Sequence, residues 1–209
     1  MFEGPEKKFQ KHIADFLVSK HSYAVLTQEE ITDTVYYFAE DHLWAFIKVT
    51  QSETLGRLEE DYGSDSRDEI FKALREELER RPLWTILRTG LTVRGHDFKL
   101  YFPKSRSSES VANELYGENR ITFIPELIIR GNKRPDFGLF LNGLPILTME
   151  LKHEANQNVH DAIAQYVAVI IPIEFSSFRS FTLPLTPATC RWPLTHVTKI
   201  IFGGLTLAW

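Results

Sequence analysis

The chain has 209 residues, of which 43% are hydrophobic and 25% are charged, as in a soluble globular protein with a sizeable core. Its formal net charge of −4 argues against a protein that coats nucleic acid with its whole surface. The single cysteine, Cys190, excludes an internal disulfide and a cysteine-based zinc cluster, which favours a reducing cytoplasm. No apolar run approaches the roughly 20 residues of a membrane span, and the first residues lack the features of a secretion signal, so we expect no association with a membrane.

Two amphipathic helices are predicted in the N-terminal half. The first runs from Pro5 to about Lys20, and its apolar residues recur at helical spacing: Phe9, Ile13, Phe16 and Leu17. The second lies within "DSRDEIFKALREELERRPLW" and is expected to end at Pro82, with Ser66 and Glu69 as a candidate capping box. Its predicted buried stripe consists of Ile70, Leu74 and Leu78.

The rest of the chain up to residue 171 alternates between strand and helix patterns. "YAVLTQ" predicts a strand, whereas "VYYFAEDHLWAFIKVT" leaves strand and helix open. Strands are predicted at 91–93 and 98–102 on either side of Gly95, followed by a loop and a short helix in "KSRSSESVANELYGENR". Three strands follow in "ITFIPELIIR", "PDFGLFLN" and "PILTMELK", separated by Gly-Asn and Asn-Gly turns.

A helix in "NVHDAIAQYVAVII" follows these strands, with Val159, Ala162, Ile163 and Tyr166 on one face. The order of elements predicts an α/β fold, a mixed sheet flanked by helices with a helical N-terminal region. We expect three parts: a helical or mixed region at 1–105, a core at 106–170, and an atypical tail at 171–209. From Phe175 onwards the tail has no acidic residue.

Three ionisable side chains lie at the open end of the hairpin predicted around the Asn-Gly turn. Because side chains alternate along a strand, Glu150 and Lys152 share one face. A strict two-residue turn would pair Asp136 with Met149 and direct its carboxylate away from Glu150. One extra residue, in the turn or in a bulge, would pair Asp136 with Glu150 instead. We predict this second arrangement, with both carboxylates on one face.

Such a pair of carboxylates is suited to a hard metal ion. Mg²⁺ takes oxygen ligands and keeps several waters, so Asp136, Glu150 and the backbone carbonyl of Leu151 would suffice beside a substrate phosphate. The ion would activate a water, which Lys152 would orient or deprotonate. The structural alternatives are a solvated ion pair of Glu150 with Lys152 and a turn aspartate after a proline.

The residues around this constellation resemble a known family. Pro135 and Asp136, followed by Glu150 and Lys152, resemble the PD-(D/E)xK nuclease motif. "RPDFGLFLNGLPILTMELKHEANQNVHDAIAQY" is similar to the nuclease domain of the R subunit of type I restriction enzymes. The resemblance is strongest over residues 119–167 and extends more loosely to the N-terminal helices.

The resemblance implies a restriction-endonuclease-like core and Mg²⁺-dependent cleavage of duplex DNA. Asp136 and Glu150 would be metal ligands and Lys152 the catalytic lysine. Gln165 and Tyr166 resemble polar residues that support DNA contact or site geometry, although a solvated glutamine beside a core tyrosine is the alternative. Some related nucleases add a glutamate from a helix to the metal site, and Glu114 or Glu118 would supply it here. The simpler interpretation is a solvated helix face.

The resemblance also implies partners that act with this chain. R subunits of this kind carry ATP-driven motor domains, and the sequence has no G-x-x-x-x-G-K-[ST] loop, so ATP is expected only for those absent domains. Specificity and methyltransferase subunits would be the protein partners, in a cytoplasmic complex. Because the resemblance fades from about Ile170, we expect a truncated or frameshifted R-subunit fragment.

Two other functions remain open from the residues alone. One is an inactive fragment that acts only as a DNA- or partner-binding module. The other is a different PD-(D/E)xK phosphodiesterase, acting on RNA or branched DNA. A set of cations is a candidate phosphate-facing groove, with a solvated loop as the alternative: Lys104, Arg106, Arg130, Lys133 and Arg134.

Overall fold

The computed structural model describes residues 5–105, 111–151, 182–185, 200–202 and 205–207. The helices in these ranges are α1 Pro5–His21, α2 Glu40–Thr50, α3 Ser52–Tyr62, α4 Ser66–Arg80, α5 Leu83–Thr89 and α6 Val111–Gly117. The strands are β1 Ala24–Val25, β2 Leu91–Val93, β3 His96–Phe98, β4 Ile121–Pro125, β5 Phe137–Leu141, β6 Leu144–Leu151, β7 Thr182–Leu185, β8 Ile200–Phe202 and β9 Leu205–Leu207. None of the described helices is long and apolar enough to cross a membrane.

Five strands form the main sheet in the order β1-β4-β5-β6-β7. β1 is parallel to β4 and β6 is parallel to β7, whereas β5, in the centre, is antiparallel to both β4 and β6. The central strands are rich in β-branched, aromatic and leucine side chains, which suit a sheet covered by helices. This mixed sheet with flanking helices confirms the predicted α/β fold.

Helix α1 covers one face of the main sheet. Its apolar side chains pack against a cluster of buried strand residues: Phe123, Phe137, Leu147, Met149 and Leu151. The helix has the predicted start at Pro5, and its last turn carries Lys20 and His21 as expected. Burying each of these large apolar side chains stabilises the fold by roughly 1.5–3 kcal/mol, which fixes α1 against the hairpin β5–β6.

Helices α2 to α5 and the hairpin β2–β3 enclose a second, larger core. From the hairpin β5–β6, the buried residues that join this core are Leu141 and Leu144, which flank the turn. The second core therefore lies at the turn of that hairpin, while the opposite end of the same strands carries Asp136. By the strand rise, the six residues from Asp136 to Asn142 span roughly 20 Å.

The N-terminal half differs from the sequence expectations in several respects, and helix α5 after Pro82 is one element that was not predicted. The ambiguous stretch after Val35 forms helix α2, and helix α3 follows it without having been predicted, since its buried face has only Leu55 and Leu58. The capping box was wrong because a 3₁₀ turn runs into α4, which makes Ser66 a helical residue. Its hydroxyl donates back to the Gly63 carbonyl at 2.8 Å.

Several local predictions are confirmed. Helix α4 ends before Pro82, and its stripe is fully buried. The strand predicted at 91–93 is confirmed as β2, which pairs antiparallel with β3 across Gly95, but the strand predicted at 98–102 was wrong in its bounds, since β3 spans His96–Phe98 and ends where that prediction begins. The short helix α6 follows the loop as predicted. The helix predicted after Lys152 lies outside the described residues.

Candidate functional site

The hairpin β5–β6 has the register that the candidate site requires. Leu141 pairs with Leu144 across the Asn142-Gly143 turn, and both turn residues have positive φ, 50° and 81°, as type I′ turns demand. The register then shifts, because Phe140 pairs with Pro145 but Leu139 pairs with Leu147. The extra residue that we expected is therefore confirmed, as a bulge at Ile146.

This bulge determines which residues face each other at the open end of the hairpin. Phe137 pairs with Met149, so continuing the register by one residue puts Asp136 opposite Glu150. Without the bulge, Asp136 would have faced Met149. The backbone thus provides the predicted opposition of the two acidic residues, at the end of the hairpin opposite the turn.

Asp136 is fixed by contacts with three different elements. Its carboxylate Oδ2 accepts the backbone N–H of Leu151, at the end of β6, at 2.5 Å. Its carbonyl oxygen accepts the backbone N–H of Glu126, just after β4, at 2.9 Å. The same carbonyl accepts the Gln10 side-chain amide from α1, also at 2.9 Å. The half-buried aspartate is therefore positioned by the fold.

Pro135 changes the hydrogen bonding at the end of β6. Continuing the register by two residues puts Pro135 opposite Leu151, whose N–H is directed towards β5 and Asp136. In a regular antiparallel ladder the carbonyl of Leu151 would accept an N–H from residue 135. Proline has no N–H, so the ladder donor for that carbonyl is missing. The Leu151 carbonyl, the predicted backbone ligand, consequently receives no ladder bond from position 135.

Asp136 and the Leu151 backbone are the predicted site groups that the described residues bring together. Glu150 is described as a backbone position in β6, paired with Pro184 of β7, and its side chain lies outside the description. Lys152, Gln165 and Tyr166 also lie outside the described residues. Their roles in the site stay predictions.

The alternative acidic ligands Glu114 and Glu118 lie on helix α6 and just after it. Glu114 is exposed on α6, and Glu118 lines a surface cavity of about 190 Å³ together with His42 and Asn142. That cavity adjoins the hairpin turn, at the far end from Asp136. Within the described part of the chain, no group of three or more His, Cys, Asp or Glu side chains could hold a metal ion.

Two residues that support the Asp136 end of the hairpin were not predicted from the sequence. Gln10 was overlooked, yet it precedes Leu17 by seven residues and so shares the buried face of α1, where a polar side chain needs a partner. Tyr37 is buried, and its hydroxyl accepts the Arg130 N–H at 2.7 Å. Its backbone φ of 58° is uncommon for a bulky residue, a feature that no sequence pattern indicated.

Comparison with known proteins adds one finding to this geometry. The family model of the type I restriction enzyme R protein N terminus matches residues 5–169. That range contains α1 through β6 and every residue predicted for the site. The comparisons found no match among curated proteins and none among solved structures.

Proposed function

Because the chain belongs to the family of type I restriction enzyme R proteins, as their N-terminal region, we propose that it is the nuclease module of such an enzyme. The reaction would be Mg²⁺-dependent hydrolysis of phosphodiester bonds in duplex DNA. One observation carries this proposal: the bulged register of β5 and β6 brings Asp136 opposite Glu150 and beside the Leu151 backbone. An ordinary hairpin would have separated these groups.

The donor set at this end of the hairpin fits Mg²⁺. Asp136 contributes a carboxylate and Leu151 a backbone carbonyl, both hard oxygen donors of the type that Mg²⁺ takes. Glu150 would be the second carboxylate ligand. The bound ion would lower the pKa of a water and neutralise charge on the phosphoryl oxygens.

The protein's own groups would orient the reactants. The contacts to Leu151, Glu126 and Gln10 hold Asp136 in place before substrate arrives, so little reorganisation is needed on binding. Lys152 would orient the attacking water or take up its proton, and its ammonium would counter the developing negative charge. Gln165 and Tyr166 would support DNA contact or the geometry of the site.

Its partners would be those of a type I restriction complex. Duplex DNA would be the substrate, and the specificity and methyltransferase subunits would direct the module to its sites. ATP would be used by motor domains and has no role in the hydrolytic step proposed for this chain. The complex would act in the cytoplasm.

Plasmid nicking by site variants tests the nuclease proposal. We expect Asp136→Asn, Glu150→Gln and Lys152→Met each to reduce Mg²⁺-dependent nicking of supercoiled plasmid by about 10²-fold or more, since each would remove a group acting on the transition state. Asp61→Asn is the matched control, because Asp61 is an exposed carboxylate in the last turn of α3. Calorimetric Mg²⁺ titration of the wild type and Asp136→Asn measures the metal site separately.

The outcomes distinguish the alternative functions. Nicking that persists in all three variants would refute the assigned site. Absence of nicking and of Mg²⁺ binding in the wild type, with DNA binding retained, would identify a binding module. Preferential cleavage of RNA or branched DNA over plasmid would identify another phosphodiesterase on the same fold.

A further inference from the structure

A short run of cations lies immediately before the candidate metal ligand. Residues 130–134, "RGNKR", carry three cationic side chains and no acidic one, and we refer to them as the basic turn. Arg130 and Arg134 are exposed and Lys133 is half-buried. Asp136 follows Arg134 by two residues, so the basic turn lies at the open end of the hairpin.

The basic turn has a defined backbone conformation. The backbone N–H of Ile129 donates to the Lys133 carbonyl at 2.9 Å, closing a tight loop. Inside it, Gly131 and Asn132 have φ of 77° and 58°, values that glycine and asparagine adopt more readily than other residues. The sequence of the turn therefore suits its conformation.

Side chains from a distant segment hold the turn from outside. Tyr37 accepts the Arg130 N–H through its hydroxyl at 2.7 Å. Gln28 accepts the Ile128 N–H at 2.9 Å and donates to the Ile128 carbonyl at 3.3 Å. An exposed loop that carries only solvated charges needs no such support, whereas a surface that positions a ligand benefits from it.

A second cationic element lies next to Asp136. The first half of α1 exposes Lys7, Lys8 and Lys11, and Gln10 between them contacts the Asp136 carbonyl. Lys7 lies 4.0 Å from Glu126, with both side chains largely exposed, so this weak pair leaves the surface predominantly cationic.

Charge is distributed unevenly over the molecule. Residues 52–80, which contain α3 and α4, carry ten acidic and five basic side chains. The basic turn and the first half of α1 carry the opposite charge at the Asp136 end. In a protein with net charge −4, six cationic side chains thus lie in the two segments next to the candidate site, a local concentration that would attract and orient a polyanion.

We propose that the basic turn binds backbone phosphates of duplex DNA next to the phosphate to be cleaved, and so sets the position of the strand relative to Asp136. This inference rests on the proposed function. A stretch of three residues spans at most about 10 Å of extended chain, so Arg134 lies within that distance of Asp136. The same distance corresponds to the rise of about three nucleotides along one strand of DNA. Arg130 and Arg134 would contact these neighbouring phosphates through their guanidinium groups, which match phosphate geometry.

Binding measured without divalent metal tests the basic turn separately from catalysis. The probe is a fluorescent DNA duplex of about 20 base pairs in EDTA, titrated over a range of salt concentrations. For Arg130→Gln with Arg134→Gln we expect about tenfold weaker binding and a salt slope smaller by about 1.8, since each lost phosphate contact removes about 0.9. The matched control is Arg80→Gln with Arg88→Gln, exposed arginines on α4 and α5, which should change neither quantity.

Tyr37→Phe tests the support of the turn while leaving every charge in place. We expect weaker DNA binding with an unchanged salt slope, because the phosphate contacts remain but the turn must be ordered on binding. A thermal unfolding curve checks that each variant is folded.

Comparison with Asp136→Asn separates this inference from the proposed function. If Asp136→Asn abolishes nicking while the arginine variants bind DNA like the control pair, the basic turn has no such role and the nuclease assignment stands. If the arginine variants lose affinity and slope while Asp136→Asn still nicks, the turn binds DNA but the assigned site is wrong. An equal loss in the control pair would reduce the effect to net charge and overturn the inference.

Discussion

At the scale of the residue, Pro135 has a consequence that can be measured. Pro135→Ala restores an N–H opposite the Leu151 carbonyl, and that N–H would compete with a metal ion for the same oxygen. We expect Mg²⁺ affinity to fall by about tenfold, the size of effect typical of groups that support metal ligands. Calorimetric titration measures the change, and Pro103→Ala, in an exposed loop, is the control.

Stability separates this effect from a general loss of structure. The variant would gain a hydrogen bond worth about 1 kcal/mol and lose the proline's restriction of the unfolded chain, worth about 0.4–1 kcal/mol. The free energy of unfolding should therefore stay nearly constant. Unchanged Mg²⁺ affinity in a folded variant would show that position 135 does not control the Leu151 carbonyl.

At the scale of elements, the turn of hairpin β5–β6 is fixed against helix α2. Gly143 accepts the Ala39 N–H at 2.9 Å, and a Cβ at position 143 would lie 2.3 Å from the Ala39 carbonyl oxygen. Gly143 also has a φ of 81°. Gly143→Ala thus combines backbone strain with a clash that cannot be relieved by rotating a side chain.

We expect Gly143→Ala to destabilise the fold by about 3 kcal/mol or more, the sum of a left-handed backbone cost of about 1–2 kcal/mol and a displacement of packed elements. Gly131→Ala is the matched control, with a φ of 77° but open space around its Cβ, and should cost only the backbone part. Urea unfolding measures both. Equal losses in the two variants would contradict the close approach of the hairpin to α2.

An ion-pair network joins helix α4 to the segment before α2. Arg75 donates to Asp33 Oδ2 at 2.7 Å and also to Glu40, while Asp33 Oδ1 accepts the N–H groups of Val35 and Tyr36. Burial lowers the pKa of Arg75, but its bonds to Asp33 and Glu40 outweigh that effect and raise it. The guanidinium therefore stays charged and holds the buried Asp33 carboxylate.

Removing the guanidinium should weaken this connection. We expect Arg75→Met to destabilise the fold by about 2 kcal/mol, because bonds between charged groups contribute about 1.5–3 kcal/mol and Arg75 is partly exposed. Combining it with Asp33→Asn should give a loss clearly smaller than the sum of the two single losses. Additive losses in chemical denaturation would show that the pair is not coupled.

Local sequence patterns predicted the elements whose residues interact with near neighbours. The Asn142-Gly143 turn, the buried stripe of α4 and the start of α1 at Pro5 followed from such patterns. The bulge at Ile146 was predicted only because an extra residue would set Asp136 opposite Glu150. The Asn-Gly turn alone favoured a regular ladder. Helix α3 and the helical state of Ser66 were missed because their patterns are short or depend on the preceding turn.

At the scale of the whole molecule, the decisive contacts join residues far apart in the chain. Gln10 and Asp136 are separated by 126 positions, and Tyr37 and Arg130 by 93. No local propensity contains that information, because it depends on how α1 and the segment before α2 pack onto the sheet. The residues that hold Asp136 in place therefore could not be predicted from local patterns, whereas the register that sets Asp136 opposite Glu150 could.

The hydrogen bond from Gln10 to Asp136 makes the first helix part of the support of the candidate site. An isolated peptide with the sequence of the hairpin β5–β6 would lack this hydrogen bond, even though it contained Asp136 and Glu150. A fusion partner or proteolysis that displaces α1 from the sheet would leave Asp136 less well positioned, although Asp136, Glu150 and Lys152 would all still be present. Recombinant versions meant for assay should accordingly keep that helix free to dock.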